Sequence, residues 1–330
     1  MTNMLGAKPR PPITVVGAGV SGLTTALVLL QRGHAVRIVA GALPPDVTSA
    51  VPAALWLPYK AEPRDRVVDW ARTTYRKLQT LAGDPATGVV ARTGRELHRQ
   101  PIAGPWWRDA VPASALRPVP GEELPAGYAA GFELDSFVME TPIYLPWLVE
   151  QARAAGAEFE QKQLGRLADV VAMAEGACVV NCAGLGAGEL VPDRDMFPSR
   201  GQLVYLEPST AIDRFLVDES PEAVTYVIPR RDVVVLGSTV DDGVASTAVD
   251  DAAGAAIVAR AQRLVPELTG LRVVRQLAGV RPCRSRVRLE CERVGATAVV
   301  HNYGHGGSGY VLSWGCAEHA AGLVEEAAGG

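Results

Sequence analysis

Residues 12–40 read PITVVGAGVSGLTTALVLLQRGHAVRIVA, and the order of residue types in this stretch decides the fold. Ile13–Val16 is short, β-branched and uncharged, as expected of a strand buried on both faces. Gly17, Gly19 and Gly22 follow in the pattern Gly-x-Gly-x-x-Gly. The first glycine makes the turn, the second lets a diphosphate approach the backbone, and the third lets a helix pack close to the strand. Apolar residues dominate Val20–Gln31, which predicts that helix, and Gly33 stands where a C′ glycine ends one. Ala35–Ala40 predicts a second strand. The helix N-terminus of such a unit aims free N–H groups at a phosphate. The expected fold class is α/β, with a Rossmann-like parallel sheet that binds a dinucleotide.

One position departs from the pattern. An acidic residue ordinarily ends the second strand and bonds the adenosine ribose, but here the strand runs into Ala40-Gly41. Arg37 stands close by and suits a 2′-phosphate. This half of the chain therefore leaves NAD(P) and FAD both open.

The whole chain has 330 residues, 48% hydrophobic and 21% charged, which is the range of a globular protein of about two domains. Its formal charge of −4 argues against a nucleic-acid partner, which calls for a basic face. Four lysines among 32 basic residues is a compositional bias and marks no site. The apolar run at Leu23–Leu30 is far shorter than the ~20 residues of a membrane span. MTNMLGAKPRPP at the start lacks the apolar core of a signal peptide, and EEAAGG at the end is no peroxisomal address. Cys178, Cys182, Cys283, Cys291 and Cys316 are irregularly spaced and complete no zinc pattern, so they are expected to be reduced thiols. A cytoplasmic protein without a metal is the expectation.

Further along, Thr141-Pro142 opens a helix ending near Gly156, with Thr141 as N-cap and Pro142 as first helical residue. ACVVNCAGLGAGEL (177–190) reads as a buried strand breaking at Ala183-Gly184, a second return to the parallel sheet. The stretches RGQLVYLEP, TYVIPRRDVVVLGSTV and LRVVRQLAGVRPCRSRVRLE alternate in the manner of antiparallel strands. Segments 12–60, 140–200 and 270–330 are thus expected to form one discontinuous cofactor domain. Segments 61–139 and 201–269 are expected to form a mostly antiparallel substrate domain.

Several blocks coincide with one family. VVHNYGHGGSGYVLSWGCA (299–317) resembles the C-terminal signature of the D-amino-acid oxidases, FAD flavoenzymes with a glutathione-reductase-like nucleotide-binding fold. AALWLPY, VVNCAGLGA, RGQLV, YVIPR and GVRPCRSRVRLE resemble that family's other blocks in the same order, from about Ile13 to Leu323. The resemblance implies FAD as cofactor. It places the dinucleotide turn at Gly17, Ala18, Gly19, Val20, Ser21 and Gly22, and further cofactor contacts at Thr48, Ser49, Ala53, Ala54 and Leu55. Leu164 and Ala183 match backbone-contact positions. Gly306, Gly307, Ser308, Gly309, Tyr310 and Val311 match the segment that wraps the flavin ring. The family's ribose-binding acid falls on Gly41, so that contact is in doubt.

The same resemblance implies the chemistry: oxidative deamination of a D-amino acid by hydride transfer from Cα to flavin N5. Reoxidation by O2 gives H2O2, and hydrolysis gives a 2-oxo acid and ammonia. Such a reaction asks mainly for orientation. Arg281, whose planar fork suits a carboxylate, matches the carboxylate clamp, and Tyr226 matches a tyrosine that bonds the same group. The carbonyl of Gly307 would accept from the substrate amine, and Tyr59 would line the pocket. Arg284, Arg286 and Arg288 are expected to be solvated strand arginines, and His301 and His305 to be structural. Glu222, Ala223, Val224 and Thr225 stand where vertebrate relatives carry a lid tyrosine, which implies an altered or short lid.

Leu57 and Val240 stand where a D-aspartate oxidase would show polar or cationic groups, so neutral D-amino acids are the expected substrates. Arg230 and Arg231 leave a doubt, since either could turn inward. The alternatives are D-aspartate oxidase, glycine oxidase, an NAD(P)-dependent dehydrogenase fitting the first glycine motif and Arg37, and a non-catalytic flavin-binding protein. A small-molecule substrate, O2 and a homodimer are the expected partners.

Overall fold

A computed structural model describes residues 11–174, 177–220 and 223–329. Residues 1–10, on which the reading of the N-terminus rests, and Glu222 lie outside the described residues.

The chain opens with β1 (Ile13–Val16), α1 (Val20–Gln31) and β2 (Val36–Ala40), as the glycine pattern predicts. Next come α2 (Arg64–Leu81), β3 (Val89–His98), β4 (Leu116–Pro118), β5 (Ala130–Met139) and α3 (Thr141–Ala154). The middle of the chain holds β6 (Glu158–Gln161), α4 (Leu167–Met173), β7 (Val179–Asn181), α5 (Ala187–Leu190) and β8 (Phe197–Leu206). After it follow β9 (Phe215–Ser220), β10 (Ala223–Pro229), β11 (Val234–Gly237), β12 (Asp241–Asp242) and α6 (Asp251–Leu264). A long strand β13 (Val273–Val294), then β14 (Thr297–His305) and α7 (Gly309–Gly329), complete the described chain.

One continuous sheet runs in the order β4-β5-β3-β9-β10-β11-β8-β13-β14-β7-β1-β2-β6. Its last part is parallel: β14 with β7, β7 with β1, β1 with β2 and β2 with β6. From β14 back to β9 every pairing is antiparallel, and β3 then joins β9 in parallel.

Alternation along the strands gives each half two different faces. Val204, Leu206, Val227, Val234 and Leu236 pack under α6 with Ile257, Ala261 and Leu268. Leu203, Tyr205, Ile228 and Val235 point the other way, into the main core. Beneath the parallel strands, Val16, Val39, Val179 and Val299 pack on Leu164, Val170 and Leu190. The other face of those strands carries α1, which packs on α7 and α3.

Helix α3 starts one residue earlier than the sequence predicts. Glu140 precedes it, and Thr141 is its first residue. The Thr141 hydroxyl donates to the Ala50 carbonyl at 3.0 Å and so tethers the helix to the 48–50 turn in place of capping. The carboxylate of Glu140 is taken by Arg231, through its backbone N–H at 2.7 Å and its Nε at 2.6 Å.

α7 also lies against α2 so closely that a Cβ on Gly315 would stand 2.2 Å from the Trp70 carbonyl oxygen. The Gly315 N–H donates to Thr74 Oγ1 at 3.0 Å across the same contact. A Cβ on Gly322 of the same helix would meet nothing within 4 Å. Gly315→Ala is therefore expected to destabilise the protein by about 1–3 kcal/mol through overpacking. Gly322→Ala should instead stabilise it by up to about 1 kcal/mol, the helix-propensity gain. Denaturant unfolding of the two variants measures both, and shifts of the same sign would refute the contact.

Candidate active site

The N-termini of α1 and α7 point into one cavity of about 590 Å³ that extends beneath the antiparallel sheet. At one end its wall is Gly17, Ala18, Gly19, Val20 and Ser21, joined by Thr48, Ser49, Ala53, Ala54 and Leu55. Gly17 has φ +107, and a Cβ there would lie 2.5 Å from the Cys182 carbonyl oxygen, so only glycine fits. Gly22 is off the wall. Its hydrogen faces the Gly17 carbonyl, which a Cβ would approach to 1.9 Å, so it serves helix–strand packing as predicted. The Val20 N–H donates to Ser49 Oγ at 3.0 Å, and the first turn of α1 carries no acid. That helix end is open to an anion. Ala54 has φ 58, an unusual value for a residue with a Cβ, at a point where its segment borders the cavity.

Gly41 is resolved by a neighbour. A Cβ at 41 would stand 2.0 Å from Gln163 Oε1, so the Gln163 side chain occupies the space that an acidic residue would need. Gly41 and Gln163 both line the cavity. Gln163 thus offers an uncharged amide where the pattern ordinarily has a carboxylate. Arg37 turns away, its Nε 3.4 Å from Glu158 Oε2 on β6, and it is absent from the wall. The reading of Arg37 as a 2′-phosphate contact is corrected on that ground.

At the other end the wall is Gly306, Gly307, Gly309, Tyr310, Asn302, Tyr303 and His305, with Ala183 between the two ends. Three buried polar atoms on this wall have no partner among the described residues: Asn302 Oδ1, His305 Nε2 and the Tyr59 hydroxyl. Buried polar groups normally find partners, so these orphans point to a polar ligand lying against them. Orphans at this end and a phosphate-sized turn at the other fit FAD.

Besides Gly22, three residues expected to touch the cofactor are not on the wall. Leu164 is buried with Val16, Val39 and Val170, and its neighbour Gln163 faces the cavity in its place. Val311 packs in the core of α7. Ser308 ties down Tyr59, accepting from its N–H at 3.2 Å and donating to its carbonyl at 2.5 Å.

Arg281 and Tyr226 meet beyond Gly307. A Cβ on Gly307 would lie 3.2 Å from the Tyr59 ring and 3.8 Å from Arg281 Cδ, so both side chains flank Gly307. The Arg281 guanidinium lies over Gly201, and the Tyr226 ring lies over Gly237. Each glycine provides the space for the side chain that crosses it. Arg281 Nη1 donates to the Arg200 carbonyl at 3.1 Å, and Nη2 donates to Ser238 Oγ at 3.1 Å and the Thr239 carbonyl at 3.2 Å. Ser238 also lies near enough to the Tyr226 hydroxyl to favour its ionised form slightly. Burial pushes its pKa up to about 12, against the opposing pull of Arg281, so it stays a neutral donor. Ser238, itself buried, was not singled out in the sequence, because a serine in a Gly-Ser-Thr turn carries no distinguishing signal.

The other arginines divide. Arg286 is exposed, as expected. Arg284 and Arg288 are not solvated: Arg284 Nε lies 3.0 Å from Asp193 Oδ2, and Arg288 Nη1 bonds the Tyr303 hydroxyl at 2.7 Å. They brace β13 against β14 and the 193–195 turn. Arg230 pairs with Asp232 at 3.1 Å and Arg231 with Glu140, so neither turns into the cavity. His301 is fully buried between Asn181 and Glu292, off the wall. Burial holds His305 down to about 4. In the lid region, β9 and β10 pair as far as Ser220 opposite Ala223, which leaves only residues 221 and 222 between them.

The glycine turn, the orphaned polar wall and the Arg-Tyr pair together describe a flavin-dependent oxidoreductase. The chain belongs to the DAO family of FAD dependent oxidoreductases, which it matches over residues 12–323. It is 46% identical to a D-amino-acid oxidase of Rubrobacter xylanophilus over 94% of each chain. Identity to a D-amino-acid oxidase of Streptomyces coelicolor is 39%, covering 94% of this chain and 96% of that one. A human D-aspartate oxidase is 32% identical over 95% of this chain and 94% of its own. Among solved structures, the glycine oxidase of Geobacillus kaustophilus superposes with a TM-score of 0.77 at 18% identity, covering 97% of this chain and 95% of that one. Likeness at that identity concerns the fold.

Because Ser238 holds Arg281 Nη2 at 3.1 Å, Ser238→Ala is expected to weaken benzoate, a simple carboxylate probe, by about threefold to tenfold. The Kd is read from the change in flavin absorbance of the holoprotein. Ser238→Thr should restore it, and an unchanged Kd in Ser238→Ala would show that the serine does not order Arg281.

Proposed function

We infer that this protein is an FAD-dependent D-amino-acid oxidase. The observation that carries the reading is the Arg281–Tyr226 pair set beside Gly307 and Tyr59 in the cavity that the two helix N-termini share. In this reading the guanidinium and the tyrosine hydroxyl hold the substrate carboxylate, and the Gly307 carbonyl accepts from the amine. The substrate Cα–H is thereby aimed at the ring-binding wall. FAD held on that wall would supply the acceptor for the hydride from Cα and be reoxidised by O2, with H2O2 and an imino acid, hydrolysed to a 2-oxo acid and ammonia, as products. The parallel part of the chain would hold the cofactor and the antiparallel part the substrate.

Neutral side chains suit the rest of the wall, which includes Leu57, Val217, Val224, Ile228 and Val240. Arg281 is the single Arg or Lys on the wall among the described residues. Since the α-carboxylate uses it, a D-aspartate side chain would find no second cation. This favours neutral over acidic D-amino acids. Among the described residues no helix is long and apolar enough to cross a membrane, and a cytoplasmic enzyme is part of the proposal.

Arg281→Ala is expected to lower kcat/KM for D-alanine on the order of 10²-fold, mostly through KM, because it removes a charge-assisted clamp. Tyr226→Phe should cost less. Under anaerobic conditions the holoenzyme should bleach with D-alanine and not with L-alanine. Unchanged kinetics in Arg281→Ala would sink the assignment of the clamp, and a protein that bleaches with neither enantiomer would sink the activity.

A further inference from the structure

The wall opposite the cofactor turn contains one carboxylate that the reaction does not use. Strand β9 presents Val217 and Glu219 to the cavity, and β10 presents Val224, Tyr226 and Ile228. The register sets Val217 opposite Tyr226 and Glu219 opposite Val224. Glu219 is therefore two residues along the same face from the clamp tyrosine, about 7 Å at the rise of a strand. That distance is within reach of a lysine or arginine side chain and beyond reach of the methyl of alanine.

The neighbouring acid shows what a structural carboxylate looks like on this strand. Asp218 faces the other way and is bonded by Tyr128 at 2.6 Å, Arg99 at 3.1 Å and the Ser220 N–H at 3.0 Å. Glu219 makes no hydrogen bond with a described residue. It is desolvated and lies near Glu96 of β3, with His98 of the same strand and Lys60, beside Tyr59, as the neighbouring cations. A half-buried carboxylate without a hydrogen-bonded partner, aimed into a substrate cavity, lacks the donor that would offset its desolvation.

We propose that Glu219 selects D-amino acids with cationic side chains, D-arginine and D-lysine, by accepting charge-assisted hydrogen bonds from the side-chain cation while Arg281 and Tyr226 hold the α-carboxylate. The inference rests on the D-amino-acid oxidase reading and extends its substrates from neutral to basic. The cavity then has a cation for the acid end of the substrate and an anion for a basic end. D-Aspartate and D-glutamate are disfavoured twice, by the lack of a second cation and by repulsion from Glu219.

The preference should depend on pH. Burial and then Glu96 push the Glu219 carboxyl up to about 7, while His98 and Lys60 pull it back. From β10, Val224 adds no charge. Glu219 is therefore largely protonated below neutrality and ionised above it, so discrimination in favour of a cation grows as pH rises through about 7.

The test compares kcat/KM for D-arginine and D-methionine, similar in reach and different in charge, on wild-type and Glu219→Gln holoenzyme. At about pH 8.5 the ratio of D-arginine to D-methionine should fall at least about tenfold in Glu219→Gln, the size of a charge-assisted hydrogen bond. In the wild type the ratio should rise between about pH 6 and about pH 8.5, which reads the same ionisation without any substitution. A ratio unchanged both by the substitution and across that pH range, in an enzyme that oxidises D-methionine, overturns this inference alone. A holoenzyme that oxidises no D-amino acid overturns the underlying reading with it.

Discussion

Strand β13 is the element on which both halves of the site depend. Its first part pairs with β8 from Val273 to Cys283, and its last part pairs with β14 from Arg288 to Val294. Cys283 pairs on both sides, with Phe197 and with His305, and the register on the β14 side shifts between Cys283 and Arg288. The strand thus passes from pairing with β8 to pairing with β14 within a few residues. Arg281 lies just before that point, and Gly306-Gly307 just after the end of β14. Arg281 and the Gly306-Gly307 wall are close because β13 leads directly into β14. Arg284 and Arg288, held on Asp193 and Tyr303, keep the irregular stretch from straightening. For Asp193, burial alone would raise the carboxyl, yet bonds from Tyr303 and Arg284 hold it below its ordinary range. That network remains ionised throughout the neutral range.

Close packing of backbone is the second constraint. The third glycine of the turn and Gly315 of α7 both stand where a methyl group would meet a carbonyl oxygen. Helix α1 is thereby pressed on β1, and α7 on α2, and α1 and α7 pack on each other. Thr24 of α1 donates to the Ser313 carbonyl of α7 at 3.2 Å, deep in the contact. Two helix N-termini are brought to one cavity because the helices can approach this closely. Their unpaired N–H groups add a positive potential at both places where an anionic or electron-accepting group would be held.

Much of this was legible in the residues because local chemistry governs it. The βαβ unit follows from apolar runs and glycine spacing. The antiparallel strands follow from alternation, and the cofactor wall follows from motif resemblance. Where the sequence misled, the deciding partner was far away in the chain. Thr141 looks like a cap, but Ala50 takes its hydroxyl. Arg284 and Arg288 look like solvated strand residues until Asp193 is folded against them. Arg37 suggests a phosphate until Glu158 of β6 is placed beside it. Gln163 has no motif and gains meaning only from the missing side chain at Gly41. Ser238 and Glu219 were passed over for the same reason: each is an ordinary residue type whose role depends on the cavity it faces.

The electrostatics of the cavity explain how a site with so many titratable groups can hold its clamp constant. Burial lifts the Tyr226 hydroxyl to about 12 and lowers His305 to about 4, so neither changes charge near neutrality. A histidine held that low is a poor proton acceptor. Its place beside the ring wall therefore supplies a neutral polar edge instead of a base. Tyr226 therefore stays a neutral donor over the whole range in which a substrate carboxylate is ionised. Orientation, which is what this oxidation requires, is then insensitive to pH. Glu219, pushed up to about 7 at the side-chain end of the cavity, would alter which substrate is held and leave the aim of the Cα–H bond unchanged.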